Sequence, residues 1–257
     1  MKGLHDFIDF ARRQINRLSG LDVVRVSGQY TLKVHVARVL KQYGVHAIID
    51  VGANEGDFGA LMRSLGFRGP IYSFEPVTEA FEVLQGRARR DGNWQAFNYA
   101  LGAEDGTAQI NVSKFSQFSS IREATSYGKS WENMLVERKQ DIVIKTIDGL
   151  FRSGVLGGQE RYFLKMDTQG YDIEVFKGAR ASLPKLFCML SELSLIPLYE
   201  GMPNYIEALE TYSQAGFLVS GLYPITRHQS LALNEVDCMM VKPNDAVIDG
   251  VIGSVAH

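Results

Sequence analysis

The run Ile48-Ile49-Asp50-Val51-Gly52-Ala53-Asn54-Glu55-Gly56-Asp57-Phe58 constrains the fold more than any other part of the chain. Its apolar start fits a short buried strand, and two glycines break that strand. Phe58, Leu61, Met62 and Leu65 then follow at i, i+3, i+4 and i+7, the spacing of one helix face. Strand, tight turn and helix in that order belong to a parallel α/β sheet, where ligands sit at the carboxyl ends of strands. Gly52 and Gly56 let the backbone come close to such a ligand, while Asp50, Asn54 and Glu55 offer acceptors.

The turn is not built for phosphate. Its glycines fall at 52, 56 and 59 rather than in G-x-G-x-x-G, no Walker lysine follows, and Asp50, Glu55 and Asp57 would repel a pyrophosphate. Carboxylates suit a cation rich in amines and hydroxyls, and S-adenosylmethionine (SAM) is such a molecule. Another nucleotide or a plain structural turn also fits this stretch taken alone. A second run, Ile71-Tyr72-Ser73-Phe74-Glu75-Pro76, ends in an acid 23 residues after Gly52. That is close to the interval of about 20 residues at which an acidic residue on the next strand takes ribose hydroxyls. A solvated strand-end Glu is the plain alternative.

With 257 residues, 46% of them apolar, the chain can bury one substantial core. We expect a catalytic domain over 45–257 preceded by a helical extension over 1–44. A net charge of −2 gives no electrostatic footprint for nucleic acid. Arg87, Arg89 and Arg90 read as a solvated helix end. Cys188 and Cys238 are too few and too separate for a zinc site or a disulfide framework, which points to a reducing compartment. No apolar run approaches a membrane span, and Asp6 and Asp9 argue against a signal peptide, so a cytoplasmic protein is expected. Leu4, Phe7, Ile8, Ala11, Ile15 and Leu18 form an amphipathic face that packs on the domain or on a second subunit of a homo-oligomer, with a membrane surface as the alternative.

Along the chain, Leu32, Val36, Val39, Leu40 and Tyr43 mark a helix closed by Gly44. Thr78 can cap another that runs to about Arg90, and Asp91-Gly92-Asn93 turns into a strand over Trp94–Tyr99. Asn98, near that strand's end, can meet an adenine or form a turn. Asp105-Gly106 is a hairpin signal before a strand over Thr107–Val112. Residues 113–140 interleave serines with Phe115, Phe118, Tyr127 and Trp131, the composition of a lid over a polyhydroxylated substrate or of a flexible surface loop. Strands are expected over Ile142–Ile147, ending at Asp148, and over Tyr162–Met166, ending at Asp167. Another runs over Leu186–Leu190, with Glu192 at the equivalent end, and the last two over Phe217–Gly221 and Val236–Val241. His228 lies between the last pair.

In order, Asp50-Val51-Gly52-Ala53-Asn54-Glu55-Gly56, Phe74-Glu75-Pro76, Asn98-Tyr99-Ala100-Leu101-Gly102, Ser119-Ser120-Ile121, Leu164-Lys165-Met166-Asp167-Thr168-Gln169-Gly170-Tyr171-Asp172, Lys177-Gly178-Ala179, Glu192 and Leu198-Tyr199-Glu200-Gly201 resemble the FkbM-type SAM-dependent methyltransferases. The likeness covers about residues 45–242. It implies a class I, Rossmann-like sheet of seven strands, mostly parallel with one antiparallel strand and with helices on both faces. It also implies O-methylation of a small-molecule or glycan hydroxyl, on a sugar or a natural product. Asp50, Gly52, Asn54 and Gly56 would hold the methionine end of SAM and Glu75 the ribose, with Ala53, Pro76, Asn98, Ala100 and Asp167 completing the cofactor site. Asp172 stands where the family usually has Glu, and Thr168 where Val-like residues are frequent.

An alcohol is a poor nucleophile near neutral pH and needs a base to take its proton. Asp167 and Glu192 are the candidates, with His228 third because histidine titrates near neutrality. Asp167 could instead orient the SAM amine. Asp148, Asp167 and Glu192 are carboxylates of the kind magnesium prefers, but their spacing specifies no metal site. The rival readings are a nicotinamide-dependent reductase on a similar sheet and a SAM-binding protein without catalysis.

Overall fold

The computed structural model describes residues 31–243. The amphipathic stretch over 4–18 lies outside them. Helix α1 (Leu32–Gln42) starts at Thr31, whose hydroxyl accepts the Val34 amide. It is followed by β1 (Ala47–Val51), α2 (Asp57–Ser64), β2 (Ile71–Phe74), α3 (Thr78–Asp91) and β3 (Trp94–Phe97). Then come β4 (Ala100–Leu101), β5 (Gly106–Ser113), β6 (Val136–Lys145) and α4 (Ile147–Arg152). The second half adds β7 (Tyr162–Met166), α5 (Asp172–Lys177), β8 (Leu186–Ser194), α6 (Tyr205–Gln214), β9 (Leu218–Arg227) and β10 (Leu233–Val241).

Seven strands form one sheet in the order β3-β2-β1-β7-β8-β10-β9. Pairings among β3, β2, β1, β7 and β8 are parallel, and β10 runs antiparallel to both of its neighbours. This is the expected architecture. β1 lies inside the sheet and is buried along its whole length, which explains its continuous apolar reading. Ala47, Ile49 and Val51 join a core with residues of α4, α5 and α6, including Leu150, Phe176 and Tyr212. Ile48 faces the opposite core, built with Val36 and Val39 of α1, Met62 of α2 and Leu84 of α3. Helices therefore cover both faces.

A smaller sheet, β4-β6-β5, stands beside the first and packs on Val77 and Ala80 at the start of α3. Here several expectations are corrected. Asp105-Gly106 does not join a hairpin, because β6 inserts between β4 and β5, pairing parallel with one and antiparallel with the other. Asp105 instead accepts the Thr146 amide at 2.8 Å, fixing the entry to α4. β6 begins at Val136, six residues earlier than its apolar core, because Val136–Asp141 are solvent-facing and join the strand through antiparallel pairing with β5 rather than through apolar burial. Asp148 lies in the first turn of α4 rather than at a strand end. Thr78 is inside α3 rather than its cap; Glu75 takes the neighbouring Val77 amide instead. Glu192 lies within β8, which extends to Ser194.

Apolar burial does not account for one row that crosses the sheet. Trp94 Nε1 donates to Ser73 Oγ at 3.0 Å, Ser73 Oγ donates to Asp50 Oδ2 at 2.9 Å, and Lys165 Nζ lies 3.4 Å from Asp50 Oδ1. These four residues come from β3, β2, β1 and β7. Ser73→Ala removes the link between indole and carboxylate and leaves two buried polar groups short of a partner. We expect a loss of about 1–3 kcal/mol in chemical denaturation; wild-type stability would show that the row is not needed.

Candidate active site

The turn after β1 and the acid after β2 meet. Gly52 has φ +68°, and a Cβ there would lie 2.0 Å from the Asp167 carbonyl oxygen, so only glycine lets this turn press against the end of β7. The Gly52 amide donates to Phe74 O at 3.0 Å. Asn54 also takes left-handed backbone, φ 45°, which short polar side chains tolerate better than most. That bend aims its amide at Glu75 Oε2, 2.8 Å away, while the Val77 amide donates to Glu75 Oε1 at 2.8 Å. Glu75 is 6% exposed. Burial pushes its carboxyl up to about 7, against the opposing pull of the two amides and Lys165.

These groups line one open cleft. Its walls are Gly52 and Asn54 from the first turn, Phe74, Glu75 and Pro76 from the end of β2, Ala100 and Leu101 of β4, Ile110 of β5, and Asp167, Thr168, Gln169 and Tyr171 after β7. The remaining wall is the segment expected to be a lid, through Ser116, Gln117, Ser119, Ser120 and Ile121. It is ordered by specific bonds: Ser116 Oγ donates to Asn54 Oδ1 at 2.9 Å and Ser120 Oγ to Gln169 O at 2.7 Å. Arg122 donates to Gly170 O and Gly201 O.

Of the residues expected at the cofactor, Gly52, Asn54, Glu75, Pro76, Ala100 and Asp167 face this cleft and four others do not. Asp50 is 0% exposed and belongs to the buried row. Ala53 is buried, donates to Phe74 O and accepts the Gly56 amide. Gly56 starts α2 with φ 91° and abuts Leu84 and Trp94. Asn98 donates to Glu75 O and Pro76 O, so it shapes the end of β2, the turn-forming role.

Among the candidate bases, Asp167 and Glu192 are brought together. Gln169 Nε2 donates to Asp167 Oδ1 at 3.0 Å and to Glu192 Oε2 at 2.8 Å. Glu192 does not itself line the cleft; it is partly exposed in a small neighbouring pocket with Asp172, Met202 and Tyr205, and Gln169 joins it to the cleft wall. Burial first, and then Asp167, Glu235, Asp172 and Asp237, hold its carboxyl well above the usual range. Asp237, directly opposite it on β10, is raised to about 6 for the same reasons. His228 is exposed in the turn between β9 and β10, bonded to Ser230 and 5.9 Å from the Tyr127 ring, and is outside the cleft. Asp148 is also elsewhere, accepting the amides of Ala181 and Ser182. Among the described residues, no group of three or more His, Cys, Asp or Glu is arranged to hold a metal ion.

Three participants were not singled out from the sequence: Lys165, Gln169 and Tyr199. Lys165 is legible in retrospect as a lone cation inside the apolar run of β7. Its Nζ donates to Gly52 O at 2.8 Å and lies 3.4 Å from Asp50 and 3.5 Å from Asp167. Burial works against its charge, yet the two carboxylates hold it above the usual lysine range. No spacing rule marks Gln169 or Tyr199.

The strand order, the one antiparallel strand and a cleft at the carboxyl ends of β1, β2 and β7 define a class I methyltransferase fold. Residues 50–219 match the family described as Methyltransferase FkbM domain, and the chain belongs to that family, whose methyl donor is SAM. No curated protein matches the chain. Among solved structures, it is similar to the methyltransferase FkbM from Methylobacillus flagellatus, with 15% identity and a TM-score of 0.45, covering 77% of this chain and 43% of that one. It is similar to Aeropyrum pernix fibrillarin with natively bound SAM at 12% identity and 0.43, over 76% and 66% of the two chains. Magnesium protoporphyrin IX methyltransferase from Synechocystis with bound SAM gives 10% and 0.45, over 91% and 96%.

Lys165→Met strands Asp50, a fully buried carboxylate, without its cation. A buried pair broken on one side costs about 3–5 kcal/mol, to be read as a lower denaturation midpoint. Adding Asp50→Asn should return part of the loss. An equal or larger loss in the double variant would contradict this role.

Proposed function

We propose that the protein transfers the methyl group of SAM to a hydroxyl of a sugar, a polysaccharide or another natural product, with Glu192 or Asp167 taking the hydroxyl proton. The observation that carries this reading is the convergence of the Gly52–Asn54 bend with the Glu75 carboxylate in one cleft that also holds Asp167. Gly52 and Asn54 would hold the methionine end, and Glu75 the ribose, since a carboxylate can accept two adjacent hydroxyls. Leu101, Ile110 and Ile121 supply apolar surface for a base. The donor set fits the cofactor: acceptors would face its hydroxyls and amine, and among the described residues lining the cleft there is no Lys or Arg to cradle a phosphate.

Held there, SAM would supply a methyl on a sulfonium able to depart as a neutral thioether. The protein's share is to hold the acceptor oxygen in line and to remove its proton. Glu192 is suited to the second task, because burial and the surrounding acids make its carboxylate hold a proton more tightly than an ordinary one does. We assign this chemistry to the domain over 45–257, working in the reducing cytoplasm, with residues 1–44 as an N-terminal extension whose α1 packs on the main sheet. No helix among the described residues is long and apolar enough to cross a membrane.

SAM affinity should depend on pH through Glu75. Ribose hydroxyls need the ionised carboxylate, whose midpoint lies at about 7. Affinity measured by calorimetry should be flat above that midpoint and fall toward tenfold per unit below it. Glu75→Gln should weaken binding by roughly tenfold to a hundredfold, the worth of a charged hydrogen bond. Binding that is indifferent to both would contradict this assignment.

Methyl transfer is tested with tritiated SAM and fractionated glycans and natural-product alcohols. Label should appear on a hydroxyl, and of the folded, SAM-binding variants Glu192→Gln and Asp167→Asn, the one lacking the base should lose roughly a hundredfold or more. Label on no acceptor favours a SAM-binding protein without catalysis. Near wild-type turnover in both variants removes the carboxylates from the proton transfer.

A further inference from the structure

Gln169 is 8% exposed and takes left-handed backbone, φ 53°, a conformation a side chain enters only when its surroundings demand it. The surroundings are specific. Its Nε2 has two hydrogens, and they go to Asp167 Oδ1 and Glu192 Oε2. Its Oε1 accepts the Tyr199 hydroxyl at 2.8 Å. Turning the amide over would put its oxygen against two carboxylates, so the chemistry of the neighbours fixes its orientation. The backbone is held as well: Ser120 Oγ donates to the Gln169 carbonyl, and Arg122 Nε donates to the next one, at 2.9 Å.

The acids around Glu192 come from every side. Asp167 stands after β7, Asp172 starts α5, and Glu235 and Asp237 lie on β10. Lys165 is already engaged with Asp50 and Asp167. Thr226 donates to Glu235 rather than to Glu192. Among the described residues, the Gln169 amide is therefore the side-chain hydrogen-bond donor that reaches Glu192.

We propose that Gln169 is a positioning residue, whose amide holds Asp167 and Glu192 as two separately aimed carboxylates and leaves Glu192 Oε1 open to the acceptor. This deepens the functional reading and rests on it for the identity of the base. The acceptor hydroxyl's proton passes to Glu192 Oε1, while Oε2 stays on the amide. Without the amide the two acids would face one another and be held together by a shared proton, which leaves neither aimed as a base. Because Ser120 and Arg122 belong to the covering segment, the same contacts tie the cover of the cleft to the orientation of the base.

The test uses the full chain with ¹³C-labelled glutamate carboxyls, Glu192 being identified by the resonance that Glu192→Gln removes. In Gln169→Met, which has similar length and no donor, the Glu192 titration midpoint should move up. Tyr199→Phe removes the anchor on Oε1 and loosens the amide's hold on the two carboxylates, so it should move the midpoint in the same direction by less. This second variant decides the matter if Gln169→Met does not fold. A residue that only fills space would lower thermal stability and leave the Glu192 midpoint where it is, so an unmoved midpoint in the folded variants overturns the proposal. Calorimetry of wild-type protein with SAM is run beside it. No uptake there would strike the functional reading, while a moved midpoint would still support the amide bridge.

Discussion

A single buried ammonium holds the carboxyl end of the sheet together. Lys165 reaches from β7 to the carbonyl of Gly52 and lies between Asp50 and Asp167, one acid buried and the other facing the cleft. Without that charge, two carboxylates on adjacent strands would oppose each other at the point where the sheet must offer a ligand site. With it, the β1 turn and the β7 end are drawn into contact close enough to exclude any side chain at Gly52. The fold accepts the desolvation of an ion pair here because its partners are supplied by backbone and side chains together. Trp94 and Ser73 extend the same polar row to β3, so the turn after β1 is braced from strands on both sides.

From that brace the cleft follows. Pressing Gly52 against Asp167 bends the chain so that the Asn54 amide meets Glu75, and Glu75 is buried because Val77 and Asn54 close around it. The covering segment then attaches to two of the same residues, Asn54 through Ser116 and Gln169 through Ser120. The turn after β1, the cover and the candidate base are one hydrogen-bonded assembly rather than three independent parts. Changes in one should be felt in the others, since polar networks of this kind are not additive.

The sequence made the main sheet legible because its inner strands are buried on both faces and read as unbroken apolar runs, and because glycine turns punctuate them. It also located the Gly52–Glu75 pair, since both lie at strand ends, where side chains have little freedom to point elsewhere. The roles of Asp50 and Gly56 were not legible in the same way. Both adjoin the turn in sequence, yet alternation along β1 sends Asp50 to the far face, and Gly56 turns toward Trp94. The β4-β6-β5 sheet was hidden because its pairing joins segments far apart in sequence, and the polar start of β6 resembles a loop. Gln169 and Tyr199 meet only because two loops fold against one covering segment, a tertiary fact with no local signature.

The central claim is that the bend at Gly52–Asn54 and the carboxylate of Glu75 hold one adenosyl ligand between them, with its reactive end toward Asp167. A crystal structure of the full chain grown with S-adenosylhomocysteine tests this most directly. The account predicts ribose hydroxyls on Glu75, the amino-acid end at the Gly52–Asn54 turn, and the sulfur facing Asp167 and Gln169. A ligand seated elsewhere, or reversed with its adenine at Asp167, would contradict it.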